Sequence, residues 1–295
     1  MAHALIPPDV RSRLRGLRLE ARRAMGGNGI GAHRSRSRGA GLEFSQYRAY
    51  EPGDEPRQID WKLYARSDRF FVREAERESP LTVWLLVDAS ASMNQADRAA
   101  PDRTRLDAAK GIAACVAELA LRQGDRFGLV GLREDGVQLL PATHGARGRD
   151  RLWLALQALD AYGRFPEGER LDPAWERIAA HDLVVLLSDG FDEGVVALAE
   201  RLAAAGREVL FVQVLTVEER DFPFDGSHLF RDPETGDTLP GDGRAMRADY
   251  LQRFADAQRV LNARLDAAGI AHARHVLDEP LDQPLRALFS PGERT

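Results

Sequence analysis

Three oxygen-bearing side chains stand at alternate positions just past an apolar run: in "LTVWLLVDASASM" (81–93), Asp88, Ser90 and Ser92 follow Leu81–Val87. A second apolar run, "LVVLL", ends in Ser188-Asp189-Gly190. Both runs have the length and composition of buried strands. In an open α/β sheet, ligands bind beyond the carboxyl ends of the strands, where strand order reverses. If the two strands are neighbours there, Asp88 and Asp189 converge. Two carboxylates in one crevice repel, so a positive charge is expected between them. Ser90 and Ser92 add neutral oxygens, and Thr143 in "LPATHGARG" is a further candidate. An all-oxygen set without imidazole or thiolate suits Mg²⁺ or Mn²⁺ and leaves room for an acidic group of another molecule. It points to binding rather than to a reaction.

The enzymatic alternative is a phosphatase or phosphotransferase with Asp88 as nucleophile. Such chemistry needs a second acid two positions on, where this chain has Ser90, and a lysine after a later strand. Lys62 and Lys110 are the only lysines; one precedes the sheet and the other falls inside an expected helix. "DGSHL" (225–229) is not a nucleophile elbow. The seven histidines are scattered and Cys115 is the lone cysteine, which leaves no zinc pattern and no internal disulfide. No phosphate-binding G-x-x-x-x-G-K-[ST] loop is present.

The elements that must carry these residues follow from periodicity. Strands are expected at 81–87, 126–132, 137–140, 183–187, 208–215 and 271–277. Asp135-Gly136 makes the third antiparallel to the second. Helices are expected at 104–123, 149–162, 172–180, 193–205 and 244–268, with a small hairpin around Pro233–Gly236. Strands alternating with helices predict an α/β fold with a mostly parallel six-stranded sheet, one strand antiparallel, and helices on both faces.

Upstream, "DVRSRLRGLRLEARRAM" (9–25) reads as a helix stopped by Gly26-Gly27, and a Gly/Ser/Arg-rich linker follows. Residues 42–79 read as short strands around a helical turn at "IDWKLYA". Three units result: a helix in 1–27, a linker and β-containing brace in 28–79, and the main domain in 80–295. In the brace, Arg48, Asp54, Arg57, Asp60 and Arg66 are suited to bidentate ion pairs, and Tyr50 and Trp61 to stacking. This network is either a structural brace or a docking surface. Residues 1–79 carry +5 and the remainder −10, giving the formal −5. The basic share is a solvated arginine-rich face, and no nucleic-acid partner is expected. Without an apolar run of membrane-spanning length or a signal peptide, the expected location is the cytoplasm.

"DASAS" (88–92) with "LLSDG" (186–190) resembles the adhesion-type metal site of the von Willebrand factor A (VWA) fold, and the likeness covers roughly 80–278. It implies that Asp88, Ser90, Ser92, Asp189 and, by a looser match, Thr143 hold a divalent cation. "RGAGLEFSQYRAYEPGDEPRQIDWKLYARSDRFFVRE" (38–74), with "FRDPETG" and "YLQRF" later on, resembles a bacterial family catalogued as domain of unknown function 58. That family places such a segment before a VWA-like domain and is typically encoded beside MoxR-type AAA+ ATPases. The resemblance implies a metal-dependent binding module, a MoxR-type ATPase as partner, an unidentified client, and membrane association only through partners.

Overall fold

The structure is a computed structural model describing residues 5–19, 44–51, 56, 59–75, 80–232 and 235–289. Six strands form the main sheet: β3 (Thr82–Asp88), β6 (Arg126–Arg133), β7 (Gly136–Thr143), β8 (Leu183–Ser188), β9 (Glu208–Leu215) and β12 (Ala271–Val276). Their order is β12-β9-β8-β3-β6-β7, parallel except for β7, which runs antiparallel to β6. The chain leaves β3 toward β6 and later returns to the other side of β3 with β8. Order therefore reverses beside β3, as the predicted convergence of Asp88 and Asp189 requires.

The strands are apolar on both faces. Val83, Leu85 and Val87 point into one layer with α3 (Arg105–Gln123), α4 (Gly145–Gln157) and α9 (Gln283–Phe289). Trp84 and Leu86 point into the other with α5 (Asp172–Arg177), α6 (Glu193–Ala204) and α8 (Gly243–Ala267). The helix α3 is almost wholly buried, and its run of alanines lets it lie close against the sheet. A capping box starts it: the Thr104 hydroxyl accepts from the Asp107 amide while the Asp107 carboxylate accepts from the Thr104 amide, and Gly124 in the left-handed region ends it.

Among the features that differ from the sequence expectation are three. The first helix is short: α1 (Pro8–Arg13) passes into a 3₁₀ turn at Leu14–Gly16 and then extends to Leu19. Nor is it a separate unit, because Ile6, Val10, Leu14 and Leu19 join the core around α3. Arg13 donates to both oxygens of the buried Asp282, and Gln123 exchanges two hydrogen bonds with the Leu19 backbone. The apolar positions of residues 6–19 therefore serve docking against α3; residues 20–25 of the expected helix lie outside the described residues. The second difference is a short ribbon, β4 (Ala96–Asp97) with β5 (Ala100–Thr104), in a stretch too polar to read as strand. The third is α9, which at seven residues is too short for periodicity to reveal.

In the brace, β1 (Phe44–Ala49) pairs antiparallel with β2 (Phe71–Ala75), and α2 (Trp61–Ser67) lies between them in sequence. The expected linker, Pro52-Gly53, Asp54, Arg57 and the Arg48 side chain lie outside the described residues. The expected hairpin near 233–236 is formed by β10 (Ser227–Arg231) and β11 (Thr238–Asp242); Pro233 itself lies outside the described residues.

Candidate functional site at the carboxyl end of the sheet

At its last residue β3 delivers Asp88, which is fully buried. The chain then turns sharply through a 3₁₀ turn at Ala91–Asn94. The Ser90 amide donates to Asp88 Oδ1 (2.9 Å) and the Ser188 hydroxyl to Asp88 Oδ2 (2.6 Å). Burial, and next the charge of Asp189, push the Asp88 carboxyl up to about 7, against the opposing bonds from Ser188 and Ser90. The Ser90 and Ser92 hydroxyls share a hydrogen bond of 3.1 Å. Ser188 is a participant that the reading of the apolar strand end had passed over.

Asp189 enters from the adjacent β8, and Gly190 supplies the positive φ (+72°) that turns the chain away behind it. Its Oδ1 accepts from the Phe191 amide (3.1 Å), and its carbonyl accepts from Gln213 Nε2 (2.9 Å). Its Oδ2 accepts from Arg105 Nη1 at 2.6 Å, both side chains being 2% exposed. The positive charge that the two carboxylates require is thus furnished by the chain. Arg105 also donates from Nη1 to the Ser92 carbonyl (3.1 Å) and from Nη2 to Glu219. Its guanidinium lies over the Phe191 ring, 5.6 Å from the centroid. Glu219 belongs to α7 (Val217–Asp221), whose amino end it closes in a capping box with Thr216. A crevice of about 310 Å³ opens here, bordered by Ser92, Gln95, Arg105, Asp189, Phe191 and Glu219 among others.

Arg105 and Glu219 were absent from the sequence reading, yet Arg105 left a signal. The Thr104/Asp107 capping pattern puts Arg105 in the first turn of α3, where a cation opposes the helix dipole. A residue that breaks a local rule at a strand-end crevice marks a site.

Thr143 is a correction. It pairs with Phe127 at the start of β6, whereas Asp88 pairs with Leu132 near its end. Five residues of strand separate the two levels, about 17 Å at the usual rise. Because β7 is antiparallel, its carboxyl end lies at the opposite edge of the sheet from those of the other five strands.

The donor set that converges is Asp88, Ser90, Ser92 and Asp189. Its chemistry fits a divalent cation: all are hard oxygens, and each oxygen of Asp88 keeps a lone pair after accepting one bond. The obstacle is that Asp189 Oδ2 is already engaged by a guanidinium.

In the brace, Asp60 is buried and caps α2, accepting from the amides of Lys62 (2.9 Å) and Leu63 (3.0 Å). The rings stack on one another: Tyr64 on Phe70 at 4.4 Å, with Trp61 edge-on to both and Tyr50 tilted against Phe70. Trp61 stays 58% exposed and Phe70 44%, and Arg66 on α2 is exposed.

Residues 46–260 match the family model described as "Protein of unknown function DUF58". An uncharacterized protein of Mycobacterium tuberculosis, Rv1480, is 28% identical over 263 residues, covering 87% of this chain and 81% of its own length; an uncharacterized protein of Mycobacterium bovis, Mb1516, matches to the same extent. Among solved structures, the chain is similar to a conserved hypothetical protein BatB from Bacteroides thetaiotaomicron (14% identity, 70% of this chain and 95% of that one, TM-score 0.43). It is also similar to the SpRpn10 VWA domain (15% identity, 74% and 99% covered, TM-score 0.43).

Proposed function

The chain belongs to the family described as protein of unknown function DUF58, and from that premise we propose that it is a non-enzymatic protein-interaction module that binds through the carboxyl end of its sheet. Asp88, Ser90, Ser92 and Asp189 hold Mg²⁺ or Mn²⁺. A bound ion supplies positive charge and a coordination position that a partner carboxylate completes. The observation that carries this reading is the meeting of those four side chains, from two adjacent parallel strands, at the point where strand order reverses. The partner is a MoxR-type AAA+ ATPase or its client, as the family resemblance implies. The exposed Trp61 and Phe70 offer a second face to the same assembly.

An Asp88 nucleophile is the weaker reading. Such chemistry needs a second acid where the chain has Ser90, and the two lysines, Lys62 and Lys110, lie within α2 and α3 rather than after a strand of the sheet. Among the described residues no helix is long and apolar enough to cross a membrane.

Calorimetric titration of Mg²⁺ and Mn²⁺ into metal-stripped protein is the test, followed by capture of a purified MoxR-type ATPase with and without EDTA. Binding that disappears in Asp88→Ala, and capture that disappears in EDTA, are the expected results. Capture unchanged by EDTA removes the metal from the mechanism. If Trp61→Ala then abolishes capture, the brace is the docking face.

A further inference from the structure

The residues of the ion site are not the only ones that determine whether an ion is held there. We infer that Arg105 is an exchangeable counter-ion: it neutralises Asp189 when no cation is bound and yields Asp189 to a divalent cation when one enters. The inference deepens the proposed function and rests on it for the identity of the ion, though not for the role of the guanidinium.

Three observations carry it. The first is placement. Arg105 is 2% exposed in the first turn of α3, so it suffers both burial and an adverse helix dipole. Asp189, Glu219 and the nearby Asp88 compensate for both. The second is incomplete satisfaction. Both Nη atoms are engaged, but the buried Nε finds no hydrogen-bond partner among the described residues. A guanidinium with a donor unused is held less firmly than one with all five engaged. The third is a destination. Nη2 already reaches Glu219 on α7, and the crevice of about 310 Å³ lies alongside. A guanidinium leaving Asp189 thus keeps one carboxylate partner and moves within existing space.

The same turn serves both states. The Ser92 carbonyl accepts from Arg105 while its hydroxyl belongs to the donor set, so one loop senses either cation. Arg105 therefore sets the affinity of the site. It lets two acids be buried together without an ion, and it weakens ion binding by competing for Asp189.

The test uses the full chain, metal-stripped, with Arg105→Gln as the variant. Calorimetry with Mg²⁺ and Mn²⁺ is run beside thermal unfolding in EDTA and in millimolar Mg²⁺. Removing one positive charge a few ångströms from the ion tightens binding of Arg105→Gln by about tenfold or more. Its melting temperature falls in EDTA and recovers in Mg²⁺, and the recovery is lost in the double variant Arg105→Gln/Asp88→Ala. If Arg105→Gln is unfolded in EDTA, refolding on addition of Mg²⁺ supports the inference and failure to refold overturns it. Ion binding by Arg105→Gln but not by the natural chain upholds Arg105 as the competitor and overturns metal dependence of the native module. Equal or weaker binding by Arg105→Gln overturns the inference and leaves the proposed function standing. Binding by neither protein overturns both.

Discussion

Replacing Asp88 by asparagine tests whether the strand-end carboxylate is a burden that the fold carries for binding. The folded Asp88 carboxyl is pushed up to about 7 from an ordinary 3.8, first by burial and then by Asp189. A group whose pKa is raised on folding contributes its full share below the unfolded value and loses it as pH rises toward the folded one. The cost therefore begins near pH 4, grows by about 1.4 kcal/mol per pH unit, and levels off above pH 7 at about 4 kcal/mol. Asparagine does not ionise. Its Oδ1 can still accept from the Ser90 amide, but its amide nitrogen replaces the acceptor that the Ser188 hydroxyl now uses. A lost or inverted bond of that kind costs about 1–2 kcal/mol. The net expectation in EDTA is a stabilisation of about 2–3 kcal/mol at pH 8, shrinking steadily as pH falls and reversed below pH 5. Urea denaturation of both proteins at pH 5, 6, 7 and 8 measures it, because titrating groups not coupled to Asp88 cancel in the difference. A difference that stays constant between pH 5 and 8 refutes the reasoning, since it would mean that Asp88 titrates alike in folded and unfolded chains.

Two further outcomes follow from the same physics. Mg²⁺ affinity should rise about tenfold between pH 6 and pH 8, because a ligating Asp88 must first lose the proton that its raised pKa retains; calorimetry at the two pH values, showing proton release on binding, checks it. His275, fully buried on β12 with neither ring nitrogen hydrogen-bonded among the described residues, is pushed down to about 4, chiefly by burial. Its contribution is present above pH 6.5 and lost as pH falls toward 4, so His275→Leu should flatten the acid limb of the stability curve. An unchanged urea midpoint profile between pH 7 and pH 4.5 would contradict this.

Much of this architecture was legible in the sequence because its signals are strong and local. "LTVWLLV", "LVVLL" and "EVLFVQVL" are apolar on both faces, and each became a central strand of a sheet covered on both sides. Asp88 and Asp189 were legible as neighbours because topology rules allow few strand orders for such a pattern. Thr143 misled because the rule about strand carboxyl ends holds only for strands running the same way, and β7 runs the other. The N-terminal segment misled because its apolar residues suit a free amphipathic helix as well as a strap laid over α3. Only tertiary packing separates the two.

Arg105 shows what a strand-by-strand reading leaves out. In the sequence, two carboxylates at neighbouring strand ends call for a positive charge, and the all-oxygen donor set around them points to an ion. The structure adds a cation from the start of α3, carried there by a ribbon that the sequence did not reveal. Around it stand Asp88, whose carboxyl burial and Asp189 push up to about 7, Asp189 itself, and Glu219 from α7. One guanidinium cannot offset that many acids, and the residual negative charge falls when Asp88 keeps its proton. A divalent cation would remove the need for that proton. Proton, guanidinium and metal ion are thus three answers to one electrostatic demand, and a change in any one of them must shift the other two.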